Sequence, residues 1–407
     1  MRAVWALFLI GCGFQSRTAA NNPDAGIDAS IPPDIDAVDL SPICPTIALG
    51  NPSFNAAACA TPSRALVRIT DSTTFNTDLG TSDPDKGLSC DRVPNGNTSS
   101  GSQQVCVLAA ASIIVQPGVV LSAHGSVPFA LFARSITIQG TVDVASHFGG
   151  PTGAGALLSG CVPGKPAADG GGGRGGDASD HGGRGGDDGT TPTTGASGGN
   201  TFSFNNLSGG GCGGTRGGDG TTPTGDDGGI TTGGAGGGAL WIVSLSSPLI
   251  LDAGAKINAS GAGGAGATIA GHGGAGGGAG GLILLQAPSI QLSPGAVVFA
   301  NGGHGGGGAG AHSDQLGFSP GTNGTDPTDP TSGGSGGAGG LDGDGGDGTS
   351  AGGSGGLGYP STTRNGQSGT SDGHGGGGGG GGPGGIRVVS ATDITGSNVS
   401  PAPVLLR

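Results

Sequence analysis

The stretch "SIIVQPGVVLSAHGS", Ser112 to Ser126, decides how this chain folds. Ile113 and Val115 fall on one face of an extended strand, because side chains two residues apart point the same way. Pro117 and Gly118 then turn the chain. A second strand follows and ends in Ala123 and His124. The same plan recurs in "SIQLSPGAVVFANGG" from Ser289, "SITIQGTVDVAS" from Ser135 and "PLILDAGAKINASGA" from Pro248, with a weaker copy, "TDITG", from Thr392. Each full copy is an alternating strand, a tight turn at glycine, a second strand, and then Ala followed by Ser, Asn or His.

A further apolar strand precedes each copy: "QVCVLAA", "PFALFA", "GALWIVS", "GLILLQA" and finally "GIRVVSA". The unit is therefore three short strands, and Ser112 to Ser135 spans 23 residues. One such unit cannot bury its own interior, but stacked units place like residues over like. Ile113 and Val115 are expected to stack with Ile136 and Ile138, Leu249 and Leu251, and Ile290 and Leu292. The expected fold is all-β: a parallel β-helix-like solenoid of about 23-residue coils over residues 104–400. The turn of the Ser135 copy is one residue short, so the inward set of its next strand stays open. Long glycine-rich insertions at 149–238, 261–280 and 302–385 start after Ala-Ser or Ala-Asn, which places them at one corner. Residues 43–103, with "ALVRITDSTTF" as a strand, read as an amino-terminal cap over the first open edge. Residues 401–407 read as a carboxy-terminal tail.

The insertions dominate the composition. Of 407 residues 100 are glycine, aromatics are 3% and charged residues 11%, which is not ordinary globular usage. Collagen needs a strict Gly-X-Y period, and these glycines run as GG, GGG and longer. The extreme case is "DGHGGGGGGGGPGGIRVV", Asp372 to Val389, where eight glycines abut a core strand. Glycine loses more backbone freedom on folding than any other residue. Either these tracts are disordered, or they take the extended polyproline II shape and pack side by side with main-chain hydrogen bonds between neighbours. In the second case they resemble the polyglycine II bundles of glycine-rich antifreeze proteins and phage adhesin tips.

The amino terminus reads as an address. Arg2 is a minimal positive region, Ala3 to Ile10 is apolar but too short to span a bilayer, and Leu9-Ile10-Gly11-Cys12 follows. That tetrad resembles a bacterial lipobox. The resemblance implies a signal peptide over 1–11, lipidation of Cys12, and, with Gly13 rather than Asp next, passage to the outer membrane or cell surface. Residues 12–42, with Asp24, Asp28, Asp34, Asp36 and Asp39 among prolines, read as an extended tether. Six cysteines remain: Cys44, Cys59, Cys90, Cys106, Cys161 and Cys212. An even number in an exported chain suggests disulfides. Six allow fifteen pairings, of which sequence proximity favours Cys44–Cys59, Cys90–Cys106 and Cys161–Cys212.

The chemistry-bearing residues are sparse. A formal charge of −13 with 15 Lys and Arg argues against nucleic acid as a partner. Asp342, Asp344 and Asp347 are weak calcium candidates, since glycine-aspartate calcium repeats also need a hydrophobic residue at a fixed place. No other cofactor is expected. Asp143, Asp252, Lys256, Arg134 and Arg387 are the coil residues that a carbohydrate-active β-helix enzyme would use, with Asp143 and Asp252 as a carboxylate pair. They read more simply as outer-face positions. His124, His147, His181, His272, His304, His312 and His374 are isolated in sequence, and none has the spacing of a metal-binding pair. As a whole the chain resembles glycine-rich bacterial surface lipoproteins with a β-helix-like core. The expectation is a non-enzymatic structural or adhesive display scaffold, held to the membrane by a lipid and facing extracellular polysaccharide or other surface components. The alternatives are a polysaccharide lyase or hydrolase, and an ice- or surface-binding protein.

Overall fold

A computed structural model describes residues 64–84, 86–94, 104–156, 167, 170–178, 182–187, 195–196, 209–219, 231–310, 319–331, 334–341, 352–370, 374–391, 394 and 398–406. The signal peptide, Cys12, the acidic tether, Cys44, Cys59, Cys161, His181, His312, Asp342, Asp344 and Asp347 lie outside the described residues. Among the described residues no helix is long and apolar enough to cross a membrane.

The chain forms an all-β, parallel, multi-coil solenoid and not a closed barrel. Its first wall stacks β5 (Gln104–Val115), β7 (Phe129–Ile138), β9 (Ala239–Ser244), β12 (Leu282–Gln286), β15 (Gly385–Val389) and β17 (Val404–Leu405). The second wall is built from the later halves of β5 and β7, preceded by β1 (Leu66–Ile69) and followed by β10 (Leu249–Leu251) and β13 (Ile290–Leu292). The third wall stacks β2 (Thr73–Asn76), β6 (Val120–His124), β8 (Thr141–Asp143), β11 (Lys256–Asn258), β14 (Val297–Phe299) and β16 (Val399–Ser400). Among the described residues two strand pairings run antiparallel. β3 (Thr81–Ser82) lies on β2, and β4 (Asp91–Pro94) lies on β5. β4 thus covers the first-wall edge that no earlier coil occupies, and the Cys90–Cys106 disulfide holds it there.

The register carries the expected ladder. Ile113 pairs with Ile136, Ile136 with Leu249, and Leu249 with Ile290; Val115, Ile138, Leu251 and Leu292 follow two residues on. Nearly all of these are fully buried. The short turn of the Ser135 copy is absorbed at Gly140, which packs against the Gln116 and Val119 carbonyls. The third wall therefore stays in register. Leu121, Val142, Ile257, Val298 and Val399 form its inner ladder. The turns between second and third walls pass through Gly118, Gly254 and Gly295, at φ of 74°, 83° and 86°. A side chain is disfavoured in that left-handed region.

Two features depart from the three-strand reading. In the first two coils the first and second strands are one, twelve residues in β5 and ten in β7. Later coils are broken there by Pro248 and Pro288, which cannot donate to a ladder. The first wall is also buried on both faces. Val105, Val107, Ala109, Ala130, Phe132, Ala239, Trp241, Val243, Leu282 and Leu284 form a second apolar cluster on its outer side, together with Ala178 and Ala279 from the glycine-rich segments. Near-continuous apolar runs such as "ALWIVS" are what a strand covered on both sides needs.

The glycine-rich segments are extended and hydrogen-bonded to each other with a period of three. Gly375, Gly378 and Gly381 donate to Ala309, Gly306 and Gly303 at 3.0, 2.8 and 2.8 Å. Gly376, Gly379 and Gly382 donate to Gly170, Gly173 and Gly176, and Gly377 and Gly380 donate to Gln367 and Arg364. Carbonyls of the same segment accept from Gly183 and Gly186, from Gly353 and Gly356, and from Gly274, Gly277 and Gly280. Segment 374–382 thus has six bonded neighbours: 303–309, 170–176, 364–367, 183–186, 353–359 and 274–280. Segments 272–281 and 301–310 are its neighbours and are equally enclosed. Most buried amides of segment 374–382 find carbonyl partners on neighbouring segments, which offsets part of the entropy glycine loses.

Candidate functional site: the junction of coil and glycine-rich segments

The junction is built on a buried polar ladder. Ser146, Ser260 and Asn301 lie two or three residues beyond the ends of β8, β11 and β14, Ser400 ends β16, and all four are at most 6% exposed. Ser146 N–H donates to Ser260 O at 3.0 Å, Asn301 N–H to Ser260 Oγ at 3.2 Å, and Ser400 Oγ to Asn301 Oδ1 at 2.7 Å. Small hydroxyl and amide side chains satisfy backbone groups where the strand ladder stops.

Just outside this ladder a histidine joins two carboxylates. His147 Nε2 lies 3.3 Å from Asp143 Oδ2, and Nδ1 lies 3.4 Å from Asp326 Oδ2. Asp143 ends β8, while Asp326 belongs to a glycine-poor segment far along the chain. Asp326 also accepts the N–H of Gly263 at 2.7 Å and that of Phe148 at 3.0 Å. The Asp143 and Asp326 carboxylates push His147 up to about 10, against a lowering by burial. Burial alone would raise Asp326, but His147 and the Gly263 and Phe148 amides outweigh it and hold the carboxyl below its ordinary value. A general base works best with a pKa near the ambient pH. An imidazole at about 10 is already protonated there, so His147 acts as a fixed cation rather than a proton acceptor.

The chain from Asp326 onward continues along the junction. Lys256 Nζ donates to Thr328 O at 2.7 Å and sits 5.1 Å over the Phe299 ring. Asn301 Nδ2 donates to the carbonyls of Asp329 and Pro330 at 3.2 and 3.3 Å. Deeper in, His304 is fully buried. Its Nδ1 meets Thr325 O at 2.5 Å, while its Nε2 has no hydrogen-bond partner. Burial lowers His304, and the Thr325 carbonyl and Asp326 partly oppose that.

The other candidate residues do not assemble with these. Asp252 accepts from Gln139 Nε2 at 2.9 Å, so it and Asp143 are each engaged by a different side chain. Arg387 sits in β15 in register with Leu284 and Val404, and burial lowers it. Arg134 follows the first-wall part of β7 and accepts backbone amides from Ser246 and Ser247. His124 ends β6, paired with Asn76. His272 and His374 are buried at matching ends of neighbouring glycine segments, where burial lowers His272 against the pull of Asp219. Cys212 is disulfide-bonded within the glycine-rich region. Among the described residues no group of three or more His, Cys, Asp or Glu is placed to hold a metal ion.

Sequence reasoning missed Asp326 and the buried pair Arg174–Asp177. That pair bonds side chain to side chain, and Asp177 also accepts Gly182 N–H at 3.1 Å. The available signal was the triplet spacing of "GGRGGDA", which puts Arg174 and Asp177 on one side of an arm with three residues per turn. For Asp326 there was no local signal, because its partners lie 178 residues away at Phe148 and 63 away at Gly263. No family model, no curated protein and no solved structure matches this chain.

Proposed function

We propose that this chain is a non-enzymatic, lipid-anchored surface scaffold, structural or adhesive, in which a solenoid of about 23-residue coils holds a polyglycine II layer away from the cell. The observation that carries this reading is the three-residue hydrogen-bond period of segment 374–382 with its six neighbours. An extended chain with three residues per turn points successive amides at three different neighbours, as polyproline II geometry requires. The ladder Ser146, Ser260 and Asn301 supports the view that the arms leave from one corner. The outermost arms carry Thr322, Asn323, Thr363, Gln367 and Ser368, which would give the layer a hydroxyl- and amide-rich outer face.

Export and anchoring rest on Leu9-Ile10-Gly11-Cys12 and on the Cys90–Cys106 disulfide, since disulfides persist in oxidising compartments. Metabolic labelling with a fatty acid tests the anchor, with loss of label expected in Cys12→Ala. The display reading is tested by incubating the mature chain with extracellular polysaccharide from the producing cells. Sedimentation of the chain with the polymer, without shortening it, is expected. Depolymerisation would replace this reading with the enzyme, and thermal hysteresis without polymer binding would replace it with the ice binder.

A further inference from the structure

We propose that the segment Ser319–Thr331 is an acid-released latch, fastening the flank of the glycine-rich layer to the corners of three successive coils. It touches the first corner through Asp326 and Phe148, the second through Asp326 with Gly263 and through Thr328 with Lys256, and the third through Asp329 and Pro330 with Asn301. Its sequence, "SPGTNGTDPTDPT", holds no apolar side chain beyond proline. Its docking therefore depends on hydrogen bonds and charges rather than on a buried core, and the backbone of Gly321, Thr322, Gly324 and Thr325 adds bonds to the neighbouring arms at Ala267, Ala338, Gly264 and His304. Segments with few buried apolar contacts open locally at the lowest free energy.

Two titrating groups sit where the latch meets the rest of the molecule. Asp326 grips His147, which is itself held by Asp143. His304 lies under the latch, with Nδ1 donating to Thr325 O and the bare Nε2 buried. A second proton on that ring would point at no acceptor in a site closed to water, a costly burial of charge. Among the described residues the charged group that acts on His304 is Asp326. The arms packed around it, 259–267, 274–280, 334–341 and 352–359, contribute no acid or base side chain except Tyr359. Lys256 and Asp329 are the remaining charged groups along the latch.

The signs follow from the directions. His304 has its folded pKa lowered, so it favours the closed latch fully above the ordinary value of 6.5 and progressively less below it. Asp326, also lowered, supports closure above its ordinary value of 3.8 and releases as pH falls through its folded value. Acidification first puts a second proton on His304, whose ring is covered by the latch at Thr325 and by the arm at Gly334, and then discharges the carboxylate that holds His147.

Amide hydrogen exchange on the mature chain at pH 7.5 and 5.0, corrected for intrinsic rates, tests this. Amides of 319–331 should exchange measurably faster at pH 5.0 than at pH 7.5, because the closed latch disfavours the second proton on His304. Amides of 374–382 should be unchanged, and the effect should reverse on neutralisation. His304→Asn keeps an N–H donor for Thr325 and removes the titration, so its acid response should vanish. Asp326→Asn should leave the latch open at both pH values. The proposal is overturned by an acid response absent in the wild type, retained in His304→Asn, or shared equally by 374–382. It is equally overturned by an Asp326→Asn latch as protected as the wild type.

Discussion

Gly378 has no room for a side chain beside Ala275: a first side-chain carbon would overlap the Ala275 carbonyl oxygen. The next residue, Gly379, is closed in the same way by Gly183, and Gly377 by Ser354. All three sides of the arm are therefore occupied by backbone of different neighbours. Where a side is open, a side chain stands there, as with Ser335 and Ala338 at three-residue spacing on an outer arm. Gly378→Ala should destabilise the chain by about 1–3 kcal/mol through overpacking. Ala338→Ser, on an exposed side, should stay within about 0.5 kcal/mol. Urea unfolding of both variants checks the pair, and equal midpoints would contradict the close packing.

Trp241 reports on the contact between first wall and glycine-rich region. It is fully buried on the outer face of β9, in the cluster that includes Ala178 and Ala279. The sequence has two tryptophans, Trp5 and Trp241, so a chain cleaved before Cys12 has Trp241 alone. Its emission should be blue-shifted and shielded from iodide in the native state. Trp241→Ala should cost about 3–5 kcal/mol, as large aromatic truncations in a packed core do. A red, quenchable emission in the folded chain would mean that this face is wet.

The Cys90–Cys106 disulfide closes a loop with a sequence separation of 16. Its removal in Cys90→Ser with Cys106→Ser should lower stability by about 3 kcal/mol in the chain-entropy account. The second consequence is local. β4 would lose its covalent tie and expose the first-wall edge of β5, a template for intermolecular pairing. Light scattering of the double variant against the wild type, at equal concentration, should show faster aggregation.

His147 sets an alkaline dependence. Its folded pKa is raised to about 10, so its stabilising contribution is complete below the ordinary 6.5 and is lost as pH rises through about 10. The ring is partly exposed and solvent screens it, so the effect on melting temperature should be small but directional. Thermal melts from pH 7 to 11 should show a decline that His147→Gln lacks. An imidazole NMR titration centred near 6.5 would contradict the two-carboxylate contact.

Much of the solenoid was readable from neighbouring residues alone. Ile113 and Val115, Ile136 and Ile138, Leu249 and Leu251, and Ile290 and Leu292 announce a shared inner face, since alternation is a local property of an extended strand. The pairing order then follows from stacking like on like. The outer cluster around Phe132 and Trp241 was less legible. A run such as "ALWIVS" is compatible with one buried face or two, and only the second layer decides.

The sequence by itself determined that the chain builds a repeated β core and that its glycines cannot be collagen. It also carried a second period, side chains every third residue in "GGRGGDA" and "GSGGAGGL", which matches the three-residue period of the hydrogen bonds between segments. Only the tertiary structure decided which arms are neighbours, which side of each is closed, and that Asp326 returns to His147. The physical reason is the same in all three cases. Side chains label a partner by size and charge, whereas a glycine arm bonds through backbone groups that are identical everywhere. Its neighbours are selected by where the β coils release and recapture the chain, and several of them, such as 170–176, lie far away in sequence.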